Sequence, residues 1–119
     1  MKLTRAQTRY LIAIYRLSGE EKGIRSVAIA EALGVTRPSV SRMLNNLTTM
    51  QLLEKRLYGT VFLTAPGKML AEEVYRELKR LTHYLKTSLS IPADIAEECA
   101  LLLISELPQG TQIGIETPS

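Results

Sequence analysis

The spacing of apolar positions along the chain predicts a mainly helical protein. Thr4 followed by Gln7 is a capping-box pattern that opens a first helix, which runs to Ser18. We expect the apolar face of this helix to consist of Leu3, Tyr10, Leu11, Ile14 and Leu17.

Two further helices are predicted in the second half of the chain. Thr64, with Pro66 in the first turn, caps a long helix. Its apolar positions are Leu70, Val74, Leu78, Leu81 and Leu85. Pro92 opens a last helix that is apolar around most of its circumference from residue 99 to residue 104.

The segment VAIAEALGVTRPSVSR, residues 27–42, predicts a helical hairpin. Small apolar residues form its first helix, which Gly34 ends by supplying a positive backbone angle. Thr36 caps the second helix and Pro38 lies in its first turn. Val40, Leu44 and Leu47 make one apolar stripe, and polar groups fill the opposite face. The second helix is therefore suited to the major groove of DNA, although an ordinary helical hairpin has the same pattern.

A short β-hairpin follows, with strands over residues 52–56 and Thr60–Leu63 around a turn signal at residues 57–59. In this place a hairpin is the wing of a winged helix-turn-helix domain. Lys55, Arg56 and Tyr58 lie near its turn and could reach phosphates or the minor groove. The alternative is that these charges only protect an exposed strand edge.

The predicted fold is thus mainly α with a small β wing. We expect a winged helix-turn-helix DNA-binding domain over residues 1–65, a helical dimerisation region over 66–107 and a tail over 108–119, with a short strand at 112–116. The residues predicted to contact DNA are Arg25, Ser26, Thr36, Arg37, Pro38, Ser39, Ser41, Arg42, Asn45, Lys55, Arg56 and Tyr58.

The last helix predicts self-association, because a chain of 119 residues cannot cover a helix that is apolar on several sides. A homodimer with a two-fold axis would do so, and it would match a palindromic operator in double-stranded DNA. The residues predicted at the dimer interface are Ile12, Leu78, Leu81, Leu85, Leu102, Leu103 and Ile104.

The distribution of charge supports a nucleic-acid partner. All 15 Lys and Arg residues and 7 of the 12 acidic residues lie in residues 1–92, whereas residues 93–119 hold 5 acids and no base. Cys99 is the single cysteine, which excludes an internal disulfide, and the polar N-terminus does not resemble a signal peptide. With no apolar run long enough for a membrane span, we expect a cytoplasmic protein.

Motifs for catalysis are missing from the sequence. It holds no P-loop, no G-x-G-x-x-G and no paired-histidine metal motif, so we do not expect an enzyme. The alternative class of function is a winged-helix module that binds a partner protein through its basic face instead of DNA.

The chain from Tyr10 to Arg76 resembles the DtxR/MntR-like iron- and manganese-dependent repressors, especially in IRSVAIAEALGVTRPSVSRML (24–44) and YGTVFLT (58–64). The resemblance implies a winged-helix DNA-binding domain followed by a helical dimerisation domain. It also implies that Thr36, Pro38 and Arg42 read bases, with Pro38 against thymine methyl groups. Where members often carry Gln, this chain has Arg42, which favours guanine.

Members of this family hold a divalent metal between the first helix and the dimerisation helices. The resemblance places the ligand positions at Arg9, Ile12, Leu78, Ala100, Leu103 and Ile104, none of which is a metal donor. We therefore expect no cofactor, no metal activation, and a dry cluster of Ile12, Leu78, Leu103 and Ile104 in place of the metal.

Two alternatives to the loss of the metal remain. One is a non-standard metal site drawn from His83, Cys99, Glu97, Glu98, Glu73 and Glu77. The other is that the resemblance ends near residue 77 and an unrelated helical dimer module follows.

Overall fold

Five helices and three short strands are present in the computed structural model, which describes residues 3–18, 23–56 and 59–107. In chain order these are α1 (Arg5–Leu17), β1 (Ile24–Arg25), α2 (Ser26–Leu33), α3 (Arg37–Thr49), β2 (Leu53–Lys55), β3 (Thr60–Leu63), α4 (Ala65–Ser88) and α5 (Ala93–Glu106). The mainly α fold with a small β wing is confirmed. The predicted strand at 112–116 lies outside the described residues.

Helix α1 begins with the predicted capping box. The Gln7 backbone N–H donates to Thr4 Oγ1 at 3.1 Å, and the Thr4 N–H donates to Gln7 Oε1 at 2.9 Å. The expected face is buried except at Leu17, which is 40% exposed. Leu17 was wrongly assigned to the core because it lies in the last turn of α1, past the buried stretch that ends at Ile14.

Helices α2 and α3 form the predicted hairpin. Gly34 ends α2 with φ 66°, a conformation that glycine adopts without the steric cost of a Cβ atom. The Thr36 side chain caps α3, and Pro38 lies in the first turn. Val40, Leu44 and Leu47 are buried, which confirms the apolar stripe.

The wing belongs to a three-stranded antiparallel sheet with the order β1-β3-β2. Ile24 lies opposite Val61 on one side of β3, and Lys55 lies opposite Val61 on the other. The sequence pattern missed β1, because two residues are too few to show alternation. Strand β2 is also shorter than the predicted span of 52–56.

Helix α4 is 24 residues long and takes part in two separate hydrophobic clusters. Its first half, including Ala71, completes the core of the winged unit, by which we mean α1, α2, α3 and the sheet. Its second half packs with α5 and with Ile12 of α1. The second cluster consists of Ile12, Leu78, Leu81, Leu85, Ala96 and Ala100.

The start of α4 lies against the turn that follows α3. The Thr64 N–H donates to the Leu52 carbonyl at 3.1 Å. A Cβ atom on Gly67 would collide with that same carbonyl group. Glycine is therefore required at position 67 for the long helix to approach the winged unit this closely.

None of the helices in the described ranges combines the length and the apolar character that crossing a lipid bilayer requires.

Candidate nucleic-acid interface

Three residues predicted to contact DNA, of which Thr36 and Arg42 were predicted to read bases, share a side-chain network at the start of α3. Thr36 Oγ1 donates to Ser39 Oγ at 2.9 Å and accepts from the Ser39 backbone N–H at 3.3 Å. Arg42 Nη2 donates to the same Ser39 Oγ at 3.4 Å. This contact occupies one of five guanidinium N–H donors, so the exposed Arg42 is oriented while its fork stays free to bind two acceptors.

Tyr10 of α1 lies close to Arg42 and is 7% exposed. Burial raises the pKa of Tyr10, and the positive charge of Arg42 acts in the opposite direction with a smaller effect. The phenol is therefore neutral at physiological pH.

Side chains from two other elements hold the C-terminal half of α3. Lys55 Nζ of β2 donates to Asn45 Oδ1. On α1, Gln7 Nε2 donates to Asn46 Oδ1 at 2.7 Å and to Met50 Sδ at 3.5 Å. The side-chain oxygen of Asn45 thus accepts a hydrogen bond from Lys55 of the wing, and the side-chain N–H₂ group of Asn45 can donate to another partner.

The wing orients Arg56 through an aromatic ring and a carboxylate. The Arg56 guanidinium carbon lies 4.1 Å from the centroid of the Phe62 ring, which is within cation–π distance. Arg56 Nε is also 3.6 Å from Glu54 Oε1, and Glu54 lies opposite Phe62 in the sheet. Tyr58, also predicted to contact DNA, lies outside the described residues.

The remaining predicted contact residues lie on α3 or at the start of α2. Arg37, Pro38 and Ser41 are exposed on the first two turns of α3. Arg25 is exposed opposite Thr60 in the sheet, and Ser26 is half-buried. Their roles in binding DNA stay predictions.

These positions have the chemistry of a DNA-binding surface. The N-terminal half of α3 presents hydroxyl, guanidinium and pyrrolidine groups, which can bond to base edges or contact methyl groups in a major groove. Lys55 and Arg56 place positive charge on the wing beside α3, where phosphate contacts do not depend on sequence.

A second set of polar contacts joins α1 to α5. Arg5 pairs with Glu106, Arg9 Nη1 lies 3.6 Å from Glu98 Oε2, and Arg16 Nη2 lies 2.7 Å from Glu97 Oε1. Burial acts to lower the pKa of Arg16, but Glu97 and Tyr75 outweigh it, so the net pKa is raised. Our sequence reasoning missed these pairs. The available signal was that Arg5, Arg9 and Arg16 surround Ile12 at helical spacing and that the last helix carries acids.

The positions that the resemblance assigned to metal ligands lie near this contact. Ile12, Leu78 and Ala100 are buried together in the second cluster, and Ile104 packs against them. Leu103 is 44% exposed. The prediction that Leu103 joins this cluster is wrong, because its face of α5 is turned to solvent.

The predicted dimer-interface residues divide into two groups. Ile12, Leu78, Leu81 and Leu85 are buried within the single chain, and Ile104 is half-buried against them. Leu102 and Leu103 are 41% and 44% exposed. Ile95, also on α5, is 52% exposed and was not among the residues predicted at this interface. The dimer interface stays a prediction.

Comparison with known families gives one match that covers half of the chain. Residues 2–61 match the model described as "Iron dependent repressor, N-terminal DNA binding domain". This range contains α1, α2, α3 and most of the sheet, and thus the surface described above.

Individual relatives agree with this match. The chain is 37% identical over 91 residues to the transcriptional regulator MntR of Escherichia coli O6:H1, covering 76% of this chain and 58% of that protein. Among solved structures, it is similar to the manganese regulator SloR, with 30% identity, a TM-score of 0.76 and coverage of 92% and 50%. It is also similar to ScaR with bound Zn²⁺, with 25% identity, a TM-score of 0.68 and coverage of 86% and 47%. The chain therefore spans roughly half of the length of these proteins.

The expectation that no metal cofactor is involved is contradicted by these relatives, whose names include manganese and bound zinc. The expectation gave most weight to the six aligned positions, which lack donors, and too little to carboxylates or a thiolate elsewhere, which can also bind a divalent cation. In the described part of the chain, however, no three His, Cys, Asp or Glu side chains form a group that fits a metal ion. The described residues therefore give no assigned set of metal ligands.

The comparisons also settle the broad class of the protein. They identify repressors and transcriptional regulators, which confirms that the chain is not an enzyme. The match to the family model extends over the hairpin and the wing, the parts whose geometry carries the candidate interface. The chain belongs to the iron-dependent repressor family of winged-helix DNA-binding proteins.

Proposed function

We propose that this chain is a sequence-specific transcriptional repressor that binds double-stranded DNA as a homodimer. The observation that carries this proposal is the bonded set of Thr36, Ser39 and Arg42 on the exposed N-terminal half of α3. Polar side chains ordered in advance at this end of a recognition helix favour specific base contacts. The proposed mechanism is repression by occupancy of the operator.

In this proposal α3 lies in the major groove. Arg42 binds N7 and O6 of a guanine through its guanidinium fork, and Pro38 contacts a thymine methyl group. Ser39 accepts a hydrogen bond from Arg42 and is itself bonded to Thr36, which orients the guanidinium group. Arg37 and Arg25, both exposed, supply further positive charge beside the groove.

The wing binds the phosphate backbone next to the groove that α3 reads. Lys55 and Arg56 are oriented by Asn45 and Phe62 respectively, so less side-chain entropy is lost when they meet phosphate oxygens. These contacts strengthen binding to any sequence and fix the position of the domain on the duplex.

The homodimer forms through the exposed apolar face of α5. Ile95, Leu102 and Leu103 lie on this helix and are all more than 40% exposed. A two-fold contact there would bury this face and would present two copies of α3 to a pseudo-palindromic operator. We keep the proposed assignment of residues 1–65 to DNA contacts, 66–107 to dimerisation and 108–119 to the tail, with the first half of α4 also completing the core of the winged unit.

Selection of bound duplexes from a random DNA pool tests the function directly. The purified chain is used with Mn²⁺, with Zn²⁺ and with chelator, because the relatives make a divalent metal the first effector to examine. We expect enrichment of an inverted repeat whose half-sites lie about one helical turn apart, roughly 10 base pairs. Failure to enrich any sequence under all three conditions would overturn the proposal.

A further inference from the structure

One face of α1 carries three arginines around a buried apolar residue. Arg5, Arg9, Ile12 and Arg16 follow the spacing i, i+4, i+7 and i+11, which places all four on one side of a helix. Ile12 is 3% exposed and packs in the second cluster with residues of α4 and α5. The arginines extend from the rim of this contact to α5.

Each of the three arginines pairs with a different glutamate of α5, in antiparallel order. Arg5 pairs with Glu106, Arg9 with Glu98 at 3.6 Å, and Arg16 with Glu97 at 2.7 Å. We call these six residues the ionic seam. It extends along about 16 Å of α1, because a helix rises about 1.5 Å per residue.

The ionic seam affects the relative placement of α1 and α5 more than it affects the stability of the fold. Its side chains are between 40% and 63% exposed, and ion pairs with this exposure stabilise folds only weakly. Three pairs spread along one helix nevertheless define a single register between α1 and α5. A shift of α1 by one turn would bring Thr8 or Arg16 to the buried place of Ile12 and would separate Arg16 from Glu97, so Ile12 and the ion pairs define the register together.

Helix α1 is also one of the elements that contact the recognition helix α3. Gln7 Nε2 donates to Asn46 Oδ1 of α3 at 2.7 Å. Tyr10 is buried in the winged unit and lies close enough to Arg42 for the arginine to influence its pKa. The position of α1 against α5 therefore helps to determine, together with the continuous helix α4, where α3 lies relative to α5.

We propose that the ionic seam consists of positioning residues for operator binding. Arg5, Arg9 and Arg16 fix α1, and through it α3, at one distance and angle from α5. The inference rests on the proposed function, because in a dimer joined through α5 the seam of each protomer sets the spacing of the two recognition helices. A two-fold operator with fixed spacing would sense this register, whereas a single half-site would not.

Charge reversal at one pair tests the proposal. The variants are Arg16→Glu, Glu97→Arg and the double swap, and affinities are measured for the selected operator and for one isolated half-site. Each single reversal should weaken operator binding at least fivefold and leave half-site binding within twofold of wild type. The double swap should recover at least half of the lost binding free energy, because the ion pair is rebuilt with opposite polarity while the contact of Arg16 with the Tyr75 ring is not.

The two single variants together control for the change in net charge. Arg16→Glu makes the protein more negative by two charges and Glu97→Arg makes it more positive by two, so a general electrostatic effect on DNA binding would have opposite signs. Glu73→Arg is a further control, because Glu73 is exposed on α4 and takes part in none of the ion pairs found in the described residues. It should not reduce operator affinity.

The outcomes separate this inference from the proposed function. A wild-type protein that selects no DNA sequence would overturn the proposed function. If the wild type binds its operator, three results would disprove the positioning role of the ionic seam. These are single variants that bind the operator as well as wild type, a double swap that recovers no affinity, and equal losses of affinity for the operator and the half-site. Circular dichroism checks folding. If a reversal unfolds the chain, Arg16→Gln and Glu97→Gln remove the same pair without repulsion and should each weaken operator binding about twofold.

Discussion

Arg42 combines an exposed guanidinium with one hydrogen bond to Ser39 at 3.4 Å, so it is oriented without being fully engaged. We predict that Arg42→Ala weakens binding to the selected operator by about 1–3 kcal/mol and relaxes preference at one base pair in each half-site. Fluorescence anisotropy with single-base operator variants measures both effects. Arg37→Ala is the matched control, because it removes the same charge and should weaken all sequences alike. Unchanged base preference in Arg42→Ala would show that Arg42 is not a reader.

Gly67 gives a second prediction, on stability. Gly67→Ala should lower the free energy of unfolding by about 3 kcal/mol, because its Cβ would collide with the Leu52 backbone, which is not the flexible end of a side chain. Gly34→Ala is the comparison, since open space surrounds Gly34 and only the positive φ is unfavourable, at about 1–2 kcal/mol. Urea denaturation gives both values, and equal losses would contradict the proposed close approach.

Single residues were predictable from sequence where their role is local. Gly34, Thr36 and the pair Thr4 and Gln7 act on neighbours within a few positions, so the residue type reveals the cap or turn. Gly67 was not recognisable, because the group that excludes a side chain there belongs to Leu52. The second bond of Gln7, to Asn46, spans 39 positions and leaves no pattern in the sequence.

At the level of elements, two substitutions in the wing distinguish the charge of Arg56 from its orientation by Phe62. Arg56→Ala should reduce the slope of log affinity against log salt concentration by about 0.9, because one phosphate contact and its released counterion are lost. Phe62→Leu removes the ring beneath Arg56 but keeps the charge. It should weaken binding to all sequences without changing this slope. A salt titration on operator and unrelated DNA measures both, and a change of base preference in either variant would contradict a backbone role.

The helices were predictable from periodicity, while the sheet was only partly so. Long apolar stripes with caps located α1, α3, α4 and α5 closely. Strand β1 holds Ile24 and Arg25 only, and it exists because β3 offers a free edge far along the chain. Its stabilising partner is remote, so no local pattern predicts it.

At the level of the whole molecule, assembly depends on α5. Leu103→Asp should yield monomers, because it places an unpaired charge in the proposed two-fold contact. Met69→Asp is the control, since Met69 is 71% exposed on α4 and should tolerate the same change without loss of the dimer. Analytical ultracentrifugation distinguishes the two states. A soluble Leu103→Asp dimer would place the interface elsewhere.

Periodicity shows that a helix face is apolar without showing which surface covers it. Leu78, Leu81 and Leu85 were assigned to a second protomer, yet within one chain they are covered in a cluster with Ile12 and Ala100. Leu102 and Leu103 received the same assignment and are exposed. Only the three-dimensional arrangement separates these groups.

The continuity of α4 determines where the DNA-binding part can be joined to the dimerisation module of another protein. Ala71 is fully buried in the core of the winged unit, and Leu70 and Val74 pack against that core. A fragment that ends at residue 65 would lose these contacts, so we expect it to melt without a cooperative transition by circular dichroism, whereas residues 1–88 should retain one. A chimaera that gives this chain's DNA specificity to another dimerisation module must therefore join the two proteins within α4, beyond residue 74, and must keep the helical phase across the junction.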